Sequence, residues 1–203
     1  MVVTQVPSSV CIPTDDHVEG PFYRPGAPYS TNIYPADSNG AEVCFTGTVK
    51  NTQCRALVQT LIEVWQCDEN GRYDNDDPNH PPGPDYFRCR AHFFSDDLGQ
   101  FSFRTVLPAN YHPIPNDPWV RVKHVHFKLY TSGFRALTTE IALLPDEYAG
   151  SDHLFDPKLG AELNKRNLGE DRRNSYSVHF DFVLEPVSAA GYKAAAKKLG
   201  LIP

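Results

Sequence analysis

The sequence lacks the features that would put it in a membrane, on a nucleic acid or around a thiolate metal. No apolar run approaches the ~20 residues that span a bilayer. No basic stripe is present, and the formal charge is −6, so a polyanion is a poor partner. None of the five cysteines (Cys11, Cys44, Cys54, Cys67, Cys89) stands in a CxxC pair, which speaks against a zinc-thiolate site. The first residues, MVVTQVPSSVC, show no basic stretch followed by an apolar one, so no signal peptide is legible. That fits either a cytosolic chain or the mature form of a secreted one with an added Met.

What is abundant points one way. Eighteen Pro and 13 Gly among 203 residues suit strands and loops better than helices. Five cysteines are many for a reducing compartment and favour at least one disulfide, hence secretion over a cytoplasmic location. The odd number leaves at least one thiol unpaired or paired between chains. Residues 1–40 carry six prolines that forbid long helices or central strands. From Glu42 the pattern alternates: "EVCFTGTVK", then "LVQTLIEVWQC" with Val58, Thr60, Ile62 and Val64 on one face and Leu57, Leu61 and Trp65 on the other.

The stretch 68–86 is Gly, Pro, Asn and Asp almost throughout, and a loop of that length in a compact domain is usually functional or disordered. "RCRAHFFSDDLGQFSFRTVL" reads as strand, turn, strand. "PANYHPIPNDPW" is a second loop. "VRVKHVHFKLY" and "RALTTEIALL" are strands separated by "SGF". A weak short-helix pattern lies at 156–167, and "YSVHFDFVLEPV" is a final strand with Tyr176, Val178, Phe180, Phe182 and Leu184 on one face. The expectation is one all-β domain over 1–203, an antiparallel β-sandwich with long active-site loops and a few short helices. Its parts are an extended segment (1–40), a sandwich core (41–186) and a C-terminal helix (187–203).

His124 and His126 stand two apart on a strand, so both side chains leave the same face. Such a pair is either a polar surface pair or two arms of a metal site. Arg121 lies three residues upstream, Tyr111 in the second loop and Tyr73 in the first. Taken singly, each has an ordinary explanation: a surface tyrosine, a packed loop aromatic, an arginine paired with some acid.

Together with "EGPFY" (19–23), "IEVWQCDENGRYD" (62–74), "SDDLGQFSFRTVLPANY" (95–111) and "VRVKHVHFKL" (120–129), these residues resemble the consecutive signature blocks of the intradiol ring-cleavage dioxygenases. The blocks come in the family's order with closely similar spacing. The resemblance implies a non-haem Fe³⁺ held by Tyr73, Tyr111, His124 and His126. Phenolates are hard donors that favour the ferric state, and imidazoles suit iron as well. It further implies that Tyr111 leaves the metal when substrate binds and takes a substrate proton. Arg121 would be catalytic, stabilising negative charge on the substrate ring, and Gly20, Pro21, Tyr23 and Arg121 would line the substrate pocket.

The implied reaction cleaves a catecholic ring between its two hydroxyl-bearing carbons, with both atoms of O₂ incorporated to give a cis,cis-muconic acid type product. The partners are then a small catechol and O₂, with no nucleic acid and no membrane. Glu140 falls where the family often has a Gln, and a carboxylate beside an anionic site is costly unless protonated or paired. The long helical N-terminal region of the bacterial catechol enzymes is absent before "EGPFY". The chain is therefore most similar to the single-domain, often secreted members, and is expected to be a monomer that prefers plain or substituted catechols to carboxylated ones. Two other readings stand beside this one. A non-enzymatic β-sandwich binding module for carbohydrate or phenolics explains the fold and the aromatic loops but not the donor spacing. A zinc hydrolase leaves both tyrosines unexplained.

Overall fold

A computed structural model of the chain describes residues 10–77, 79, 81–166 and 174–188. Ten strands appear in chain order: β1 Glu42–Asn51, β2 Leu61–Trp65, β3 Arg90–Phe94, β4 Gln100–Val106, β5 His124–Tyr130, β6 Leu137–Leu144, β7 Gly160–Glu162, β8 Asn164–Arg166, β9 Ser175–His179 and β10 Phe182–Leu184. They make two five-stranded sheets. In one, β1 is central, with β4 along one edge and β9 and β10 along the other; β8 continues outward from β9. The other runs β3-β2-β5-β6-β7.

The layers meet through period-two alternation. Val43, Phe45 and Val49 of β1 and Phe101 and Phe103 of β4 face Ile62, Val64, Phe93, Phe127, Leu129 and Ile141 of the other sheet, all buried. Phenylalanine dominates this interface. Phe45 lies parallel to Phe103 at 5.4 Å, and Phe127 reaches Phe45 at 5.1 Å and Phe182 at 4.9 Å across the layers. Each such ring buries on the order of 150–250 Å².

The sandwich matches the sequence expectation, but its sheets are mixed rather than antiparallel. β1 pairs in parallel with β9 and β10, and β6 with β7. Parallel neighbours need a crossover of a dozen or more residues. The 145–159 segment supplies one, and residues 52–174 separate β1 from β9.

The single strand expected at 176–187 is two. At the junction the Thr48 amide donates to the Asp181 carboxylate (2.8 Å) in place of a main-chain carbonyl, and Lys50 joins it (2.6 Å). The Phe180 carbonyl presses on Gly47, where a Cβ would lie 1.9 Å away, so the break requires glycine.

β2 begins at Leu61, not Leu57, because Gln59 takes a left-handed φ of 50°. The 156–167 region holds one 3-10 turn, Pro157–Leu159, capped by Asp156, and then β7 and β8. Most of the C-terminal helix expected at 187–203 lies outside the described residues.

A disulfide joins Cys11 to Cys54, 43 residues apart, while Cys44, Cys67 and Cys89 are free thiols. It ties the N-terminal segment to the β1–β2 connection. That segment then runs beside β3 and β4, bridging at Tyr29–His92 and Asn32–Arg104. Titration of the unreduced, denatured protein should therefore find three thiols. Replacing Cys11 and Cys54 by Ser should lower the unfolding free energy by about 2–4 kcal/mol, read from denaturant melts.

Candidate metal centre

The second sheet is buried on both faces at β5. Val125, Phe127 and Leu129 face the phenylalanine core, while His124 and His126 point the other way, 1% and 2% exposed. Strand register builds a row on that outer face. Arg90, Trp65, His126 and Glu140 stand directly opposite one another on β3, β2, β5 and β6.

The indole of Trp65 lies flat on the His126 ring, centroids 4.8 Å apart and 3° from parallel. The His124 ring stands edge-on to that of His126 at 4.8 Å. His124 donates its Nδ1–H to the Val122 carbonyl (2.6 Å), which leaves Nε2 with a free lone pair. The Tyr73 hydroxyl meets that atom at 3.4 Å.

Tyr73 reaches the site from the 68–86 loop, which is ordered around two carboxylates. Asp68 accepts the Asn70 and Arg72 amides (2.8 and 3.1 Å). Asp74 accepts from Arg24, Arg90 and the Arg88 amide. Tyr73 is 3% exposed, with Phe22 stacked on it at 4.3 Å.

Tyr111 lies edge-on to Tyr73 at 5.7 Å and near His124 at 5.8 Å. Its loop is fixed where its carbonyl accepts the Arg121 amide (2.8 Å) and Asn110 donates to Asp146 (2.8 Å). Gly71, at φ 76°, lets the two loops touch: a Cβ there would lie 3.0 Å from that of Tyr111.

The four residues expected to hold a metal are thus brought together. Burial, with the nearby Tyr111, keeps the Tyr73 phenol well above its ordinary pKa. Burial pushes Tyr111 up to about 12 against the pull of Arg121. Burial lowers His124, and burial with the neighbouring His124 lowers His126 further, so both imidazoles are neutral. Two neutral imidazoles and two phenols that ionise only beside a strong positive charge fit a hard, high-valent cation. His126 Nδ1 and Glu140 Oε2 are buried without hydrogen-bond partners among the described residues, and the ligand atoms of His124, His126 and Glu140 lie within 4.8 Å of one another.

Arg121 is not free to act as a bare charge. Its Nε donates to Asp152 (3.1 Å) and its Nη2 to Glu140. Asp152 also accepts the Trp119 indole N–H, the Val122 amide and the Leu154 amide. Glu140 is therefore paired through Oε1, with His17 Nδ1 3.6 Å from that same oxygen. Burial opposes its charge, yet the neighbouring His17 and the Arg121 charge hold the carboxyl below the ordinary carboxylate range.

The expected pocket residues divide. Gly20 lies beside the His126 ring, a Cβ there being 3.6 Å from it, and Pro21 is exposed. Tyr23 packs edge-on against Trp65, gives its hydroxyl to Glu63 (3.2 Å) and carries Lys128 over its ring at 3.7 Å. Phe22 stacks on Tyr73. The sequence reading missed His17 and Asp152 and left Glu140 in doubt. A signal for Glu140 was present: Gly133 centres the β5–β6 turn, and His126 and Glu140 are equally distant from it.

Fold and site together define a two-layer β-protein with a buried pair of histidines beside the buried Tyr73 and the half-buried Tyr111. A protein-family model described as Dioxygenase matches residues 18–186. The 6-chlorohydroxyquinol 1,2-dioxygenase of Cupriavidus pinatubonensis is 32% identical over 191 residues, covering 85% of this chain. The chain spans 65% of that relative's length.

Among solved structures, 3-chlorocatechol 1,2-dioxygenase from Rhodococcus opacus 1CP is similar at TM-score 0.75 and 27% identity, over 86% of this chain and 73% of that one. The dioxygenase domain of a dioxygenase carbohydrate-binding protein fusion from Streptomyces sp. SirexAA-E is similar at TM-score 0.69 and 31% identity, over 86% of this chain and 99% of that one. The chain belongs to the intradiol ring-cleavage dioxygenase family.

Asp152 is the testable keystone of the Arg121 cluster. Asp152→Ala leaves a buried guanidinium short of a partner and should cost about 3–5 kcal/mol at neutral pH by denaturant melts. Burial works against the Asp152 charge, but the Leu154 and Val122 amides and Arg121 hold its pKa below the ordinary value. A carboxyl lowered by folding stabilises above its unfolded pKa. Wild-type protein should lose this contribution as the pH falls below about 4, and the variant should lack that part of its acid dependence.

Proposed function

We propose that this chain is a ferric intradiol dioxygenase that opens the ring of catechols between the two hydroxyl-bearing carbons, incorporating both atoms of O₂ to give cis,cis-muconic acid type products. The convergence of Tyr73, His124 and His126 with the half-buried Tyr111 carries the reading. These four residues would hold Fe³⁺, with His124 donating through Nε2. The bound ion would supply a Lewis acid that holds a catecholate and makes it reactive towards O₂.

The residues around it divide the work. Tyr111 is the less buried phenol and takes a proton from the entering catechol at its phenolic oxygen. Tyr73, packed under Phe22, stays in place. Arg121 is oriented by Glu140 and Asp152 and offers its remaining N–H donors to the substrate. Gly20 leaves room beside His126, and the segment through Pro21 and Tyr23 covers that side of the site.

Substrates are neutral catechols rather than carboxylated ones, because the carboxylates of Glu140 and Asp152 already offset the Arg121 guanidinium. The chain acts as one domain, as a monomer and outside the cytoplasm. The Cys11–Cys54 disulfide supports the last point.

Protein purified after iron-supplemented expression should be red to burgundy. It should consume O₂ with catechol, 4-methylcatechol or hydroxyquinol faster than with protocatechuate. Tyr73→Phe should weaken and shift the colour, leaving the Tyr111 contribution, and sharply reduce turnover. A colourless, iron-free protein that takes up no O₂ would contradict the reading and favour a non-enzymatic phenolic-binding module.

A further inference from the structure

Two buried polar atoms at the site face each other unpaired. Among the described residues His126 Nδ1 and Glu140 Oε2 have no hydrogen-bond partner, and they stand 3.7 Å apart. One can donate and the other can only accept. They are directly opposed across the β5–β6 hairpin, the geometry in which cross-strand side chains meet. The other Glu140 oxygen is fixed by Arg121, whose charge is permanent, so the residue remains a carboxylate. Trp65, flat on the imidazole, fixes the ring plane of His126 and leaves open only which ring edge faces Glu140. His124 already shows the matching arrangement, with Nδ1–H on the Val122 carbonyl and Nε2 free.

We infer that Glu140 is a positioning residue for His126. Its Oε2 takes the Nδ1–H, which turns Nε2 towards the ion and makes the imidazole a stronger donor. A carboxylate on the far nitrogen of a metal-binding histidine fixes the tautomer and raises the basicity of the ligand. The inference rests on the ferric reading above and adds how that site tunes its metal. Closing the 3.7 Å gap to an ordinary N–H···O length needs a shift of about 0.8 Å, which the unbranched Glu140 side chain can supply. Glu140 Oε2 also lies 3.9 Å from His124 Nε2, so direct ligation by Glu140 is the rival arrangement.

Glu140→Gln keeps the shape and an acceptor but removes the charge. The iron-loaded variant should keep its iron, its charge-transfer band should move to longer wavelength, and its preference for Fe³⁺ over Fe²⁺ should fall roughly tenfold, ~59 mV in potential for one electron. An unchanged band and potential would overturn the inference. A second measurement needs no variant: in wild-type protein loaded with Ga³⁺, ¹⁵N NMR should find His126 protonated at Nδ1, with a downfield, slowly exchanging proton. Protonation at Nε2, or a bare Nδ1 with Glu140 on the metal, would overturn it even if Glu140→Gln does not hold iron. A wild-type protein that binds no iron would instead remove the ferric reading itself.

Discussion

The site depends on β5 being buried on both faces while only one face is apolar. A strand gives its alternate side chains to opposite sides, so the alternation that seats Phe127 in the core sends His124 and His126 into the outer layer. Burying two imidazoles is costly unless neighbouring groups satisfy them. The rest of the outer face answers that demand. The Val122 carbonyl takes one N–H, Tyr73 approaches one lone pair, Trp65 covers one ring, and Glu140 stands across from the remaining nitrogen. The long loops and the N-terminal segment are the lid that makes this face an interior.

The acidic surplus of the sequence explains how those loops hold their shape. Each is anchored by a carboxylate that collects several donors. Asp68 and Asp74 order the loop carrying Tyr73. Asp146 binds Asn110 and Lys123 and so joins the Tyr111 loop to the start of β5. Asp152 gathers Arg121, Trp119 and two amides. A buried ion cluster of this kind contributes little to stability compared with apolar packing of equal volume. Its value lies in geometry, because it sets the angle at which Arg121 and Glu140 meet the histidines.

Much of this was legible in the residues. The 124/126 pair and the alternation of β1, β4 and β5 follow from period and composition, while Tyr73 and Tyr111 are picked out by the resemblance to the intradiol signature blocks. What was not legible came from distant partners. Parallel pairing of β9 and β10 with β1 depends on contacts between chain segments more than 120 residues apart, which no local pattern encodes. The break at Phe180 and Asp181 depends on Gly47, a residue on another strand. Which acids pair with Arg121 is not legible until Asp152 and Glu140 are placed beside it. Glu140 is the intermediate case: counting outward from Gly133 sets it opposite His126, yet its pairing with Arg121 and His17 appears only in three dimensions.

The most direct test of the account is resonance Raman spectroscopy of the iron-loaded protein, excited within its visible band. The account predicts enhanced ring modes of two coordinated tyrosinates, one set lost in Tyr73→Phe and the other in Tyr111→Phe. A spectrum without tyrosinate modes, or with a single set unaffected by either substitution, would contradict it.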